Sequence, residues 1–177
     1  MIEAAEYGKA LLELALQEQK DEQIKEELAV ICAAVEQERG YVTLLDTPAV
    51  PIEEKLTLVK GAFSKADPLL LNFLCLLCEK RAFYALPACA AAYDKHYDEA
   101  HDILRATAFT AVKMDEHQSA ALQKKLALLT GKQVILKNEL DPDLIGGITL
   151  RYGGTQLTDS IRSRLDKLHR SLSDTII

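Results

Sequence analysis

Apolar residues recur at helical intervals through the first hundred positions. Tyr7, Leu11, Leu14 and Ala15 do so in one segment, and Ile24, Leu28, Ile31, Cys32 and Val35 in the next. Gly40 is expected to end that second helix. A short apolar piece, YVTLLD at 41–46, precedes TPAVP, whose two prolines force an extended turn. A third long pattern runs from Ile52 to Phe63. Asp67 then stands where an N-cap belongs, with Pro68 at the first helical position, the favoured place for proline. Pro87 opens an alanine-rich helix former, ACAAAYDKHYDEA. Five or six short helices with brief connections predict an antiparallel bundle.

After Asp102 the period changes. ILRATAFTAV at 103–112 sets Leu104, Ala106, Ala108 and Thr110 on one face of a strand and Ile103, Arg105, Thr107 and Phe109 on the other. Asp115 to Leu129 returns to helical spacing through Leu122, Leu126 and Leu129, and Gly131 closes it. QVILKNEL at 133–140 and the stretch 147–153 predict two more strands. A last helix is expected from about Asp159 to Ser173, with Ile161, Leu165, Leu168 and Leu172 on one face and Arg162, Arg164, Lys167 and Arg170 elsewhere. The fold class is therefore α+β, a helical bundle over residues 1–103 followed by a small C-terminal α/β domain over 104–177.

Charge separates the halves too. Residues 1–103 carry 10 basic against 19 acidic side chains, and residues 104–177 carry 11 against 8. Two surfaces of opposite character suit two different partners. The chain has no tryptophan and only 6% aromatic residues, which leaves little for stacking nucleic-acid bases. The longest apolar run, at 69–78, is too short to span a bilayer, and no cationic leader opens the chain. A cytoplasmic location is the expectation.

Candidate chemistry is sparse. Cys32, Cys75, Cys78 and Cys89 all sit among aliphatic residues, as buried thiols of a reducing compartment do. CLLC at 75–78 has redox spacing, yet it lies inside a predicted helix, away from the N-terminal dipole that activates such pairs. His96 and His101 fall about 140° apart on a helix and do not converge on one ion. Gly131-Lys132 lacks the earlier glycine of a phosphate loop and is followed by Gln133, where a magnesium-binding hydroxyl belongs. Gly146-Gly147 and Gly153-Gly154 read as turns. No nucleophile, base and orienter come together, and no cofactor or metal is expected. The helix from Pro68 to Arg81 is apolar almost all the way round, more than one core requires, and either lies centrally or offers a face to a partner helix.

Residues 141–172, DPDLIGGITLRYGGTQLTDSIRSRLDKLHRSL, resemble the C-terminal signature of the ATP synthase delta subunit family, whose mitochondrial counterpart is the oligomycin sensitivity-conferring protein. The matching positions are Asp141, Pro142, Leu144, Ile145, Gly146, Gly147, Arg151, Gly153, Ser160, Ile161, Arg162, Leu165 and Leu168. EYGKALLELA at 6–15 is similar to the family's opening Tyr-Ala-Lys-Ala-Leu helix, with Gly8 for the usual Ala. FYALPACAAAY at 83–93 resembles its Leu-Pro helix start. Thr158-Asp159-Ser160 replaces the family's usual Asp-Gly-Ser.

The resemblance implies a non-catalytic stator subunit of a bacterial F-type ATP synthase, one copy per complex. Its six-helix N-terminal domain would hold the N-terminal helix of the head's alpha subunit between the first and fifth helices. On this chain that groove would involve Tyr7, Ala10, Leu11 and Leu14 with Phe73, Leu76, Leu77 and Lys80. The C-terminal domain would bind the peripheral stalk b subunits. Membrane association, at the cytoplasmic face of the plasma membrane, would come only through the complex. Outside the resemblance, the residues also permit a free-standing helical scaffold or a thiol enzyme using Cys75 and Cys78.

Overall fold

Chain contacts in the computed structural model divide the protein into two compact units, Met1–Tyr97 and Asp98–Ile177. The structure describes residues 3–144, 146–153 and 155–160. Among these the protein is α+β, with seven α-helices, one short 3-10 turn and a four-stranded sheet.

The first unit is built from α1 (Ala4–Gln17), α2 (Asp21–Gln37), α3 (Arg39–Asp46), α4 (Ile52–Ala62), α5 (Pro68–Glu79) and α6 (Leu86–Ala100). The apolar stripes set its core. Ile24, Leu28, Ile31 and Val35 are buried along α2, and Leu11, Leu12 and Ala15 along α1. With them lie Leu45, Val59, Leu70, Leu74, Leu77, Phe83, Leu86 and Tyr93, all fully buried.

Three polar ties join the helix ends to this core. Lys55, buried at the start of α4, donates from Nζ to the Thr47 carbonyl at the end of α3. Asp46 accepts the backbone N–H groups of Phe83 and Tyr84 at 2.9 Å each, satisfying donors that a short helical turn otherwise leaves orphaned. The third tie is at Asp67. Its carboxylate accepts from the Leu69 amide at 2.8 Å and from Lys20 Nζ at 2.9 Å, while its own amide donates to Glu27 at 2.7 Å. The α1–α2 turn, α2 and the start of α5 are thereby fastened at one point.

Gly40 does not end the second helix. The chain breaks at Glu38 (φ −117°, ψ 63°) and Gly40 lies inside α3. The six residues at 41–46 carry no decisive period, because so short a run suits strand and helix alike. Burial decides for helix: Leu45 is fully enclosed, and the Tyr41 ring stands edge-on to Phe63 and Phe83 at 6.3 and 6.2 Å.

The second unit has strand order β2-β1-β3-β4, from β1 (Ile103–Thr110), β2 (Gln133–Leu140), β3 (Gly147–Tyr152) and β4 (Thr155–Ser160), with α7 (Glu116–Thr130) between β1 and β2. β1 and β2 run parallel from Ile103↔Gln133 to Thr110↔Leu140, and β3 pairs antiparallel with both β1 and β4. Ala106, Ala108, Val134 and Leu150 form the covered face with Leu126 of α7. α7 starts with a reciprocal cap between Asp115 and Gln118, and it ends at Gly131 with φ +69°, a left-handed conformation that glycine adopts without a Cβ clash.

Two expectations change here. Leu129, assigned to the apolar stripe of α7, is 75% exposed. Thr158, Asp159 and Ser160 are strand residues whose backbone ladder comes from β3, so they do not open a helix. TQLTDS has a single large apolar residue and therefore no visible alternation. The remainder of the expected last helix, with Ile161, Arg162, Leu165, Leu168 and Leu172, lies outside the described residues, as does Ile145.

The Asp67 tie yields a pH signature. Burial opposes ionisation of this carboxyl, but the Lys20 ammonium and the Leu69 amide outweigh it and hold its pKa below the usual carboxylate range. A depressed folded-state pKa contributes stability above the unfolded value of about 3.9, and that contribution is lost as pH falls through the folded value. Asp67→Asn, which keeps a capping oxygen, should therefore destabilise the protein at pH 7 and converge with the wild type under acid in urea melts. Asp67→Ala should cost about 1 kcal/mol from the cap at either pH.

Candidate functional site

Helix α5 cannot bury all of its apolar surface in one core. Leu70, Leu74, Leu77 and Cys78 point inward and are fully covered, while Leu69 is half-buried and Leu76 remains 38% exposed. Beside them α1 presents Tyr7, Ala10 and Leu14, the last 47% exposed. The result is a groove of about 540 Å³ lined by Glu6, Tyr7, Ala10, Leu11 and Leu14 from α1 and by Leu69, Asn72, Phe73 and Leu76 from α5. Leu11 and Phe73, nearly enclosed, make the floor; Leu14 and Leu76 make the rims.

Of the eight residues that the resemblance assigned to a helix-binding groove, the structure brings together six: Tyr7, Ala10, Leu11, Leu14, Phe73 and Leu76. Leu77 is fully buried in the core and is not part of the lining. Lys80 is the exposed C-cap residue of α5, its amide donating to the Leu76 and Cys78 carbonyls, and it is not part of the lining. Glu6, Leu69 and Asn72 line the groove without having been singled out. Leu69 was legible as part of the all-round apolar helix, but Glu6 and Asn72 carry no pattern.

A slightly larger depression, about 580 Å³, lies between α2 and the α4–α5 turn. Glu26, Glu27 and Lys65 stand in its wall, and Glu27 is already engaged with the Asp67 amide. The α1–α5 groove is smaller, but apart from Glu6 and Asn72 its lining is aliphatic and aromatic. It is the better seat for an apolar helix face.

In the second unit, the signature residues build turns and the sheet. Asp141 donates its amide to the Thr110 carbonyl at 3.0 Å and accepts the Asp143 amide on its side chain at 3.0 Å, an Asx turn in which Pro142 fits the second position. The Leu144 amide closes the turn on the Asp141 carbonyl at 3.2 Å. Gly147 begins β3 at φ +94°, where a side chain would be strained, with Gly146 just before it. Arg151 lays its guanidinium 5.0 Å from the Phe109 ring centre. Ser160 ends β4, and Arg162 falls outside the described residues. A different surface was missed: Leu128 and Leu129 of α7 are adjacent and 80% and 75% exposed. The run LALL at 126–129 was its signal.

Nothing in the geometry favours thiol chemistry at Cys75 and Cys78. Both are buried in α5, and that burial pushes both thiols above their ordinary pKa. Among the described residues no cluster suits a metal ion, and no helix is long and apolar enough to cross a membrane.

The family pattern described as ATP synthase delta (OSCP) subunit matches residues 4–172. The chain belongs to the ATP synthase delta (OSCP) subunit family. Relatives named ATP synthase subunit delta include one from Alkaliphilus oremlandii, 31% identical over 97% of this chain and 96% of its own length. Another, from Flavobacterium johnsoniae, is 32% identical over 97% of each. In the mitochondrial ATP synthase hexamer of Toxoplasma gondii, one chain has the same fold, with a TM-score of 0.69 at 21% identity, covering 97% of this chain and 98% of that one.

The thiols give a direct check on the non-reactive reading. Cys32, half-buried and facing Glu36 and Asp94, is raised to about 11, chiefly by burial. All four cysteines should label slowly with iodoacetamide at pH 7 in the native protein and rapidly in urea, with no fast native phase at Cys75 or Cys78.

Proposed function

We propose that this protein is the stator subunit of an F-type ATP synthase that ties the catalytic head to the peripheral stalk. The observation that carries the reading is the α1–α5 groove, an open apolar trough in a chain that matches the delta family along nearly its whole length. In this reading residues 1–103 form a six-helix antiparallel bundle whose groove takes the N-terminal helix of the alpha subunit. Residues 104–177 take the peripheral stalk b subunits. One copy serves each complex, at the cytoplasmic face of the membrane, held there only by the complex.

The physics of the groove suits such an attachment. A helix laid into it covers the open parts of Leu14, Leu76, Leu69 and Tyr7, each contributing on the order of 1 kcal/mol. Rotation of the central shaft loads the stator with torque while the head carries out catalysis. What the tether needs is a slow off-rate and no chemistry, and apolar burial supplies it. The uncovered leucines of α7 offer a second surface, suited to the stalk.

Three variants separate the two ends. Tyr7→Asp or Leu76→Asp should weaken binding of an alpha-subunit N-terminal peptide at least tenfold, by placing an unpaired charge in an apolar trough, and leave b-subunit binding unchanged. Leu128→Glu with Leu129→Glu should do the reverse. Calorimetric titration of both ligands reads the outcome, and unchanged peptide affinity in both α1 and α5 variants would remove the groove from the account.

A further inference from the structure

The wall of the groove formed by α1 has an unusual seat. Gly8 is buried against α6. A Cβ at this position would lie 2.5 Å from the Cys89 carbonyl oxygen, 2.7 Å from Ala92 Cβ and 2.8 Å from the Tyr93 amide nitrogen. Two of those three atoms belong to the α6 backbone, so no change of rotamer can clear them. α6 is itself held there, since Tyr93 is fully buried and donates its hydroxyl to the Asp21 carbonyl at 2.8 Å. Any added bulk must therefore be accommodated by displacement of α1.

Displacement of α1 reaches the groove directly. Tyr7 immediately precedes Gly8, about 100° away around the helix, and Leu11 and Leu14 share the side of Tyr7, so the same few turns rest on α6 and wall the groove. Relieving contacts below 3 Å requires a shift of roughly 0.5–1 Å, and a gap of that size forfeits a quarter to a half of each dispersion contact. We propose that Gly8 is a positioning residue: by letting α1 sit backbone to backbone on α6, it sets the separation of the α1 and α5 walls and thus which helix the groove accepts. This rests on the reading of the groove as a helix seat.

The test compares wild type, Gly8→Ala and a control, Val59→Ala, whose buried side chain on α4 is not part of the groove lining. Each full-length protein is titrated with a synthetic peptide of the alpha-subunit N-terminus from the same organism, and urea melts record stability in parallel. Gly8→Ala is expected to raise Kd at least tenfold while folded, whereas Val59→Ala loses stability and keeps Kd within twofold of wild type. A folded Gly8→Ala protein with wild-type Kd overturns the proposal, as does a loss of affinity in both variants that tracks stability alone. If Gly8→Ala does not fold, Ala92→Val crowds the same crossing from α6; it is expected to weaken binding at least threefold, and an unchanged Kd overturns the proposal. A wild-type protein that binds no peptide defeats the helix-seat reading itself, and this inference falls with it.

Discussion

A helix that is apolar on every side must be covered on every side. That constraint at α5 organises the first unit. Leu70, Leu74, Leu77 and Cys78 are enclosed by the core, and among the described residues no element of the unit covers Leu76 fully. α1 comes alongside and leaves a trough rather than closing it, because Ala10 is small and Gly8 draws the helix onto α6. The tie at Asp67 then fixes where α5 begins, joining Lys20, Glu27 and the Leu69 amide. The groove is thus made of elements whose positions are set from behind, by core packing and by a buried cap. A rigid seat loses little entropy when it is filled.

The second unit solves a different problem with less material. Its covered core is small, with Ala106 and Ala108 at the centre of β1, and small side chains let α7 approach the sheet closely. Polar groups reinforce it. Asn138 on β2 donates to the Ala108 carbonyl at 3.0 Å and to Thr110 Oγ1 at 2.8 Å, and accepts the Met114 amide at 2.9 Å, so one side chain stitches β1, β2 and the approach to α7. The Asx turn at Asp141 continues that stitching beyond the strands. Several residues of the family signature therefore do structural work, holding a small sheet in register.

Legibility followed how local the cause was. Asp67-Pro68 and Asp115 with Gly131 announce helix ends through chemistry contained in a few residues, and the structure has caps at those places. The strand at 133–140 was readable from its short apolar run, Val134 to Leu136, just after the glycine that ends α7. α3 and β4 were not, because their stability comes from elsewhere: Leu45 and Tyr41 are enclosed by distant residues, and TQLTDS is paired by β3. The groove shows both cases. The excess apolarity of α5 was visible along the chain, but that Leu77 faces inward while Leu76 stays open depends on how the helix is rotated in its bundle. The space needed at Gly8 is likewise a property of two helices separated by some eighty residues, and no local pattern records it.

The central claim is mechanical attachment without catalysis, and reconstitution tests it most directly. Catalytic heads depleted of their delta subunit and stripped membrane vesicles, both from the source organism, are combined with this protein, and ATP-driven ion pumping is followed. The account predicts that pumping returns in proportion to added protein up to one copy per head, while ATP hydrolysis by the isolated heads is unaffected. Folded protein that leaves pumping absent under these conditions would contradict it.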